Sequence, residues 1–333
     1  MFRQLLVPFA GVTGGLSYTA YANRPQEHLP EFAHTGLYSP ATSDESWWLR
    51  LTREMAIGSV TVLSKFFIEY LNDFQIVGNL ANHRYLMDQI HLGSEHRKRG
   101  LITVSNHTSV FDDPVLQCSI VGFVPSPKHR WGVCKQQICF KNEFVASFTS
   151  AGKVLPIEVG LGLEQAQFKA VGRRLVDGDW IHIYPEACCN QTGQLGCERT
   201  EQDKARIGRL KWGVGKLVGK LPIAPVIIPY YHVGMDQIKP QDGTKSKALV
   251  DPWYVFGRTG KKVRVLVGEP VYVQDLLDEF QQVRQVAEVD PQTGEFRHWD
   301  GYSQAESDLY NQITRRVEVA LLDLEQEARK LLV

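Results

Sequence analysis

Apolar runs of strand length recur through the middle of the chain and are separated by turn residues or by segments with helical spacing. The strand-length runs cover residues 101–105, 153–157, 180–184, 224–229 and 263–267. Helical spacing of apolar residues covers residues 114–122, 164–177, 205–221 and 305–331. Because strands alternate with helices, the pattern predicts an α/β fold with a mostly parallel sheet flanked by helices.

A more continuous apolar stretch covers residues 54–72, upstream of these runs. On a helix, its polar residues would share one narrow stripe, and large apolar side chains would cover the remaining circumference. The stripe consists of Glu54, Gly58, Thr61, Lys65, Glu69 and Asn72. Lys65 and Glu69 stand one helical turn apart and argue against a transmembrane span. The pattern favours an N-terminal interfacial membrane helix, with a buried helix and a spanning helix as the alternatives.

The same patterns divide the chain into a leader, this helix, a main domain and a C-terminal part. Residues 1–50 are expected to be a targeting and linker segment. Ala20–Tyr21–Ala22 resembles the end of a secretory signal, whereas the lack of acidic residues before Glu27 suits an organellar targeting segment. Whether residues 1–22 are cleaved stays open. The remaining parts are the interfacial helix in 51–78, the main domain in 79–275, and a linker with an amphipathic helix packing on the domain in 276–333.

Composition narrows the class of protein. The chain has 333 residues, and its hydrophobic fraction of 43% supports a core and excludes wholesale disorder. Lys+Arg and Asp+Glu both number 37, and this balance argues against a dedicated nucleic-acid binder. None of the six cysteines forms a C-x-x-C pair, so a zinc site is not expected. No cofactor is predicted. Mostly reduced thiols are expected, although Cys188, Cys189 and Cys197 cluster in sequence.

Candidate chemistry follows the first strand-length run. His107 stands five positions before Asp112, in the order Asn106 to Ser109 and then Asp112–Asp113–Pro114. A histidine that takes a proton needs a partner that fixes its tautomer, and an aspartate at a helix start is held ionised by the helix dipole. Taken alone, this spacing fits a capped turn at least as well as a catalytic pair.

Two further strand ends carry polar groups. Glu186 follows Pro185 at the end of one run, and His232 lies shortly after Pro229 at the end of another. Because the carboxyl ends of parallel strands share one edge of a sheet, these groups are predicted to lie near His107. His182 falls in mid-strand and is expected to be a satisfied core histidine, and His232 fits either role.

In order and spacing, these segments resemble the motifs of the glycerophospholipid acyltransferases. The four motifs correspond to residues 106–114, to Gly152, Lys153 and Pro156, to residues 180–186, and to residues 225–235. The form found in tafazzins is the more similar one, because it shares the doubled aspartate before Pro114 and the segments 210–215, 231–235 and 267–270. As a set these motifs are highly specific, although each one alone is not.

Two positions and one segment depart from the family pattern. An arginine usual in the second motif is Val159, the glycine of the third motif is Ala187, and residues 188–207 form an insertion. The first departure removes the usual phosphate anchor. Since lysine and arginine both bind phosphate, its replacement is expected among Lys153, Arg206, Arg209 and Lys211.

The resemblance implies a phospholipid–lysophospholipid transacylase that remodels cardiolipin by acylating monolysocardiolipin. His107 would act as general base on the acceptor hydroxyl, and Asp112 would orient its ring, without a covalent enzyme intermediate. Glu186 would position glycerol hydroxyls, and basic residues in 206–220 would hold phosphate. The other expected substrate-binding residues are Asn106, Ser109, Gly152, Lys153, Pro156, Arg209, Lys211 and Pro229.

Two alternatives stay open from sequence. One is a lysophosphatidic acid acyltransferase that takes its acyl group from acyl-coenzyme A. The other is a non-catalytic protein that binds membrane lipid and keeps only the fold. The resemblance also implies a peripheral location on a mitochondrial membrane, inner or outer, facing the intermembrane space. The acyl-chain specificity and the existence of a homo-oligomer are not determined by these motifs.

Overall fold

The computed structural model describes residues 47–140, 143–158, 160–197, 208–241, 257–290 and 296–331. The predicted targeting segment therefore lies almost wholly outside the described residues. So do Val159, Arg206 and the second half of the predicted insertion.

A five-stranded sheet lies at the centre of the fold. The strands within the described residues are β1 (Asp73–Val77), β2 (Leu101–Ser105), β3 (Gly132–Lys135), β4 (Val154–Ile157), β5 (Trp180–Ile183), β6 (Val226–Val233), β7 (Lys262–Val267), β8 (Glu288–Val289) and β9 (Phe296–Arg297). The central sheet has the order β1-β7-β6-β2-β5 and is parallel except between β6 and β7. Strands β3 and β4 form a parallel pair, and β8 and β9 an antiparallel one.

Helices cover both faces of this sheet. They are α1 (Trp47–Lys65), α2 (Leu80–Leu92), α3 (Gln117–Val121), α4 (Gln136–Cys139), α5 (Glu143–Ala151), α6 (Ala166–Val176), α7 (Gly213–Lys220), α8 (Met235–Ile238), α9 (Gln274–Glu279) and α10 (Gln304–Leu331). Wider π-helical turns extend α1 over Phe66–Tyr70 and precede α3 over Asp112–Leu116. The predicted α/β class with a mostly parallel sheet is confirmed.

Two apolar cores result, one on each face of the sheet. Side chains on a strand alternate between faces, so neighbouring residues enter different cores. Ile102 and Val104 of β2 pack with helices α6, α7 and α10, whereas Leu101 packs with α2 and α3 on the other side. Central parallel strands buried on both faces are consistent with the unbroken apolar runs in the sequence.

Some predicted elements differ from the structure. The helix expected over 205–221 is shorter, because residues 208–212 are not helical and α7 begins at Gly213. The helix assigned to 51–78 turns into strand β1 at Asp73, where the chain pairs with β7. Strand β6 runs beyond the predicted 224–229 as far as Val233, which brings His232 into the sheet.

The expectation of mostly reduced thiols is wrong for four cysteines. Cys134 is bonded to Cys139, and Cys188 is bonded to Cys197. Cys118 and Cys189 are free thiols. The sequence spacing of these pairs carried no such signal, because a local disulfide needs a turn that brings two Cα atoms within about 7 Å.

Across the described ranges, every helix is too short or too polar to cross a lipid bilayer.

Candidate active site

The loop after strand β2 is fastened to strand β6. The side-chain amide of Asn106 donates to the carbonyl oxygen of His232 at 2.9 Å, and the backbone N–H of His232 donates to the Asn106 side-chain oxygen at 2.9 Å. Asn106 is buried, so these bonds satisfy groups that would otherwise be costly to desolvate. Asn106 therefore fixes the start of the loop that carries His107.

Asp112 organises this loop from its buried position. Its Oδ2 accepts hydrogen bonds from the backbone N–H groups of Thr108 and Ser109, at 2.7 and 2.8 Å, and lies 3.0 Å from His107 Nδ1. Two backbone donors stabilise the ionised carboxylate, which in turn orders the imidazole. The predicted pair of His107 and Asp112 is thus brought into direct contact.

A second imidazole faces the same carboxylate. His232 Nε2 lies 3.5 Å from Asp112 Oδ2 and 3.1 Å from the carbonyl oxygen of Asn106. Burial lowers the pKa of His232, although the negative charge of Asp112 opposes this shift. His232 is therefore neutral at physiological pH and supports Asp112 without neutralising it.

Glu186 holds His107 through the backbone. Its Oε1 accepts from the His107 N–H at 2.8 Å, and its Oε2 accepts from the Gly196 N–H at 2.7 Å and from Asn190. Burial raises the pKa of Glu186, and these hydrogen bonds oppose the rise. The carboxylate lies beside His107 as predicted, but it is buried and bonded to the protein rather than directed at glycerol hydroxyls.

The imidazole of His107 is held from two more sides. The ring of Tyr184 stacks on it, with centroids 4.1 Å apart, and the thiol sulfur of Cys189 lies 3.1 Å from its Nε2. Burial opposes the charged form of the ring, but the hydrogen bonds to Asp112 and Cys189 outweigh burial and raise the pKa of His107 to about 10.

Lys153 does not have the phosphate-binding position expected of it. Its side chain is buried, and its ammonium donates to the carbonyl oxygens of Ser126 at 2.8 Å and His129 at 2.7 Å. The same ammonium lies 4.9 Å from the centre of the Trp131 ring. Lys153 has φ of +59° directly after the turn that follows α5, and its ammonium is taken up by these buried carbonyl oxygens, so it does not present its charge to a phosphate.

Other predicted substrate-binding residues build the frame around the site. The hydroxyl of Ser109 accepts from the Phe111 N–H and closes the loop. Pro229 lies in β6 opposite Val104, and Pro156 lies in β4 opposite Cys134. Gly152 lies in the turn between α5 and β4.

The basic segment near residue 210 separates into two groups. Lys216 and Lys220 are buried, with ammonium groups 3.4 Å from Glu164 and 2.9 Å from Glu306, so neither presents its charge to a headgroup. Arg209 is exposed. The backbone N–H of Lys211 donates to the Pro185 carbonyl at 2.9 Å, which places this segment beside the Glu186 turn.

Sequence reasoning missed Tyr184 and Cys189. Tyr184 was treated only as the end of a strand-length run, and Cys189 only as one of several clustered cysteines. The sequence does contain a signal for both residues. Tyr184 lies two positions before Glu186 and Cys189 three positions after it, and a turn at Glu186 brings both side chains near the His107 imidazole.

Comparison with known proteins gives the family. The acyltransferase family model matches residues 88–232, which run from within helix α2 to His232 in strand β6. Tafazzin of Drosophila melanogaster is 32% identical over 253 residues, covering 75% of this chain and 59% of the fly protein. Taffazin of Dictyostelium discoideum is 31% identical over 233 residues, covering 66% of this chain and 70% of the slime-mould protein.

A plant relative carries a different name. The N-acylphosphatidylethanolamine synthase of Arabidopsis thaliana is 32% identical over 173 residues, covering 51% of this chain and 55% of the plant protein. The matches thus span a little over half the length of the fly and plant proteins. The chain belongs to the glycerophospholipid acyltransferase family, of which the tafazzins are members.

Proposed function

We propose that this protein transfers a fatty acyl chain from a phospholipid to the free hydroxyl of a lysophospholipid, and that monolysocardiolipin is an acceptor. The observation that carries the proposal is the His107–Asp112 pair, with the carboxylate fixed by two backbone N–H groups. In its neutral form, which is the minor form at pH 7 because its pKa is raised to about 10, His107 donates from Nδ1 to Asp112 and offers the Nε2 lone pair to a hydroxyl proton. The acceptor oxygen can then attack the acyl carbonyl carbon, and the imidazolium returns the proton to the leaving oxygen.

Helix α1 supports a membrane-surface location, because the usual distribution of side chains on it is inverted. Trp47, Leu63 and Phe66 are each more than half exposed, whereas Thr61 and Ser64 are buried. The polar stripe seen in the sequence thus faces the protein at Thr61 and Asn72, whereas Glu69 near its end is exposed. An apolar helical face of this kind is typical of a helix lying in the membrane interface.

The same helix lies directly on the catalytic loop. The Ser64 hydroxyl donates to the Pro114 carbonyl at 3.3 Å, and the ring of Phe67 meets the ring of Phe111 edge-on. Val110, between His107 and Asp112, is half exposed. A membrane that received the outer face of α1 would therefore bring acyl chains to the loop of His107 without passage through water.

The test is an acyl-transfer assay with purified protein in vesicles. Phosphatidylcholine with a labelled acyl chain is the donor, monolysocardiolipin is the acceptor, and coenzyme A is omitted. We expect labelled cardiolipin, and we expect none with His107→Ala. Transfer that depends on added acyl-coenzyme A would instead assign the chain to the coenzyme-A-dependent acyltransferases. Vesicle binding without transfer from either donor would support a non-catalytic lipid-binding protein.

The plant relative supplies a second candidate acceptor. An N-acylphosphatidylethanolamine synthase acts on an amine, and its similarity covers 51% of this chain. Phosphatidylethanolamine included as a competing acceptor gives an amide that survives mild alkali, whereas ester products do not. A dominant alkali-stable product would replace the proposed hydroxyl acceptor with an amine.

Mitochondrial location facing the intermembrane space is part of the proposal. It rests on the resemblance of the sequence motifs to those of tafazzins, and the tafazzin relatives support that resemblance. A fluorescent fusion of the full chain, followed by protease protection in isolated mitochondria, tests this location, and secretion of the fusion would overturn it.

A further inference from the structure

The first half of the predicted insertion is a loop whose two ends are joined covalently. Residues 188–197 form neither helix nor strand, and a disulfide bond connects Cys188 with Cys197. This segment, called the disulfide loop below, follows directly after the turn at Glu186. The motifs of the sequence give it no role, so its contacts with the active site have to supply one.

The disulfide loop binds the backbone of the catalytic loop at two consecutive residues. The backbone N–H of Asn190 donates to the carbonyl oxygen of His107 at 2.7 Å. The side-chain amide of Gln191 donates to the carbonyl oxygen of Thr108, also at 2.7 Å. Asp112 holds the N–H of Thr108 from within the catalytic loop. The backbone that carries the His107 imidazole is therefore fixed by the disulfide loop as well as by Asp112.

A second connection between the disulfide loop and His107 passes through Glu186. Glu186 Oε2 accepts from the Gly196 N–H at 2.7 Å and from the side-chain amide of Asn190 at 3.3 Å, whereas Oε1 accepts from the His107 N–H. A buried carboxylate oxygen that lost both donors would be costly to leave unsatisfied. Opening of the disulfide loop would therefore also disturb the carboxylate that holds His107.

The disulfide loop has little packing of its own to keep it closed. Leu195 is buried, whereas residues 192–194 are exposed. A segment with few apolar contacts and an exposed backbone opens easily unless a cross-link restricts its open states. The bond between Cys188 and Cys197 is such a cross-link, and it lies at the base of the contacts to His107 and Thr108.

We propose that the disulfide loop positions His107 for acyl transfer, and that a dithiol reductant slows the enzyme by opening the Cys188–Cys197 bond. This inference rests on the proposed acyl transfer and adds regulation to the same site. Asn190 and Gln191 are positioning residues, because they contact the backbone of the catalytic loop and not the reacting atoms.

The redox step is thiol–disulfide exchange. A thiolate of the dithiol attacks one sulfur of the bond, the S–S bond breaks, and the displaced thiolate takes up a proton. The second thiol of the reductant then attacks the mixed disulfide and releases the other cysteine. Two electrons and two protons thus pass to Cys188 and Cys197, and the reductant becomes a cyclic disulfide. Oxidised glutathione reverses the exchange.

The first measurement is the rate of transfer in the two redox states. The full chain is assayed in vesicles with labelled phosphatidylcholine and monolysocardiolipin, with and without dithiothreitol, and mass spectrometry identifies the open bonds. We expect reduction to lower kcat by about ten- to a hundredfold, as small misplacements of catalytic groups do. KM should change by less than about threefold, because a positioning contact affects the chemical step. Oxidised glutathione should restore the rate.

Paired serine variants separate the two disulfides. Cys188→Ser combined with Cys197→Ser should show the low kcat of the reduced chain and no response to dithiothreitol. The matched control is Cys134→Ser combined with Cys139→Ser, which removes the other disulfide and should keep both the full rate and the response. Circular dichroism melting shows that both paired variants fold.

A single substitution tests positioning while the disulfide stays intact. Gln191→Ala removes the hydrogen bonds to the carbonyl oxygens of Thr108 and Lys239, and should lower kcat of the oxidised chain by about tenfold. In the reduced chain the same substitution should have little effect, because both changes remove the same contact and are therefore not additive. Gln194→Ala is the matched control, since Gln194 is exposed on the same loop and bonds to Asn190 through its backbone carbonyl.

Three results would overturn the inference. They are an unchanged rate in protein whose Cys188–Cys197 bond is open, a bond that persists in excess dithiothreitol, and equal effects of Gln191→Ala in both redox states. Each of these results leaves the proposed function standing, because the oxidised chain still transfers the acyl group. Lack of any transfer by the oxidised, unmodified chain overturns the proposed function itself.

Discussion

At the scale of single residues, the site depends on one buried carboxylate oxygen. Asp112 Oδ2 receives the His107 ring and two backbone N–H groups, whereas the adjacent Asp113 pairs with Arg130 at 2.6 Å. Two neighbouring aspartates therefore have different tasks, although the sequence presents them as an equivalent doublet.

The variant Asp112→Asn tests this division. We expect kcat to fall by about 10⁴, because an amide cannot stabilise the imidazolium and favours the wrong tautomer, as in a hydrolase triad. The matched control is Asp113→Asn, which removes the ion pair with Arg130 and should change kcat by less than tenfold. Equal losses in both variants, measured as initial rates at saturating lipid, would contradict the assignment.

Sequence reasoning succeeded where a residue's role depends on near neighbours. The pairing of His107 with Asp112 is local, since five positions of one loop determine it. It failed for Lys153 because the backbone turn that directs this side chain inward is set by packing against residues 126–129. Cys189 reaches His107 from 82 positions away, and no periodicity reports such a contact.

At the scale of elements, helix α1 and the turn at Glu186 carry separate predictions. The charge substitution Leu63→Asp on α1 should weaken binding to liposomes by ten- to a hundredfold, since burying a leucine side chain contributes roughly 1.5–3 kcal/mol. Leu63 is 68% exposed. Flotation with vesicles that contain cardiolipin measures the binding.

A matched control for the membrane face lies on helix α10. Val319 is also apolar and 42% exposed, but it belongs to a helix that packs on α7 and β6. Val319→Asp should leave flotation unchanged. If both variants bind vesicles as well as the original chain does, α1 does not contact the membrane.

The turn after β5 contains an alanine in an unfavourable backbone conformation. Ala187 has φ of +57°, at the position where the third motif that the chain resembles has glycine. A left-handed conformation costs a residue with a Cβ roughly 1–2 kcal/mol. We therefore expect Ala187→Gly to raise the free energy of unfolding by about 1 kcal/mol, measured by urea denaturation.

The same substitution has the opposite sign in a helix. Ala320 lies in the middle of α10, and Ala320→Gly should lower the free energy of unfolding by about 1 kcal/mol. Destabilisation by Ala187→Gly comparable to that of Ala320→Gly would show that the left-handed turn is not strained.

Element prediction from sequence worked best where burial on two faces left unbroken apolar runs, as in β2 and β5. It missed β1 because this edge strand is partly exposed and carries Asp73 and Gln75, which interrupt its pattern. It began α7 too early because Arg209 and Lys211 continue the spacing of basic residues seen at Lys216 and Lys220, although residues 208–212 are not helical.

At the scale of the whole molecule, stability should depend on pH through buried histidines. Burial lowers the pKa values of His129, His182 and His232. Their folded-state pKa values lie below the unfolded one, so acidification favours the unfolded chain. As pH falls below 6.5, each should contribute a loss that approaches about 1.4 kcal/mol per pH unit until its folded-state imidazole is protonated.

The titration of His107 changes the free energy of unfolding in the opposite direction, because it lowers stability as pH rises. Because its pKa is raised to about 10, its contribution is complete below pH 6.5 and is lost as pH rises towards 10. The free energy of unfolding should therefore be greatest near pH 6.5. In urea titrations below pH 6.5, His182→Gln should reduce the slope of unfolding free energy against pH by the contribution of one histidine. The substitution His96→Gln, at an exposed position, should leave this slope unchanged. Identical slopes for both variants would refute the role of burial.

The two hydrogen bonds between Asn106 and His232 join residues that are 126 positions apart in sequence. They can form only when β6 lies in the sheet between β2 and β7. Until that happens, the loop of His107 has no fixed origin. A chain cut before residue 226 would keep every residue of the first three motifs and still lack the second imidazole beside Asp112. Competence for acyl transfer therefore depends on a strand far along the chain, and such a fragment should be inactive.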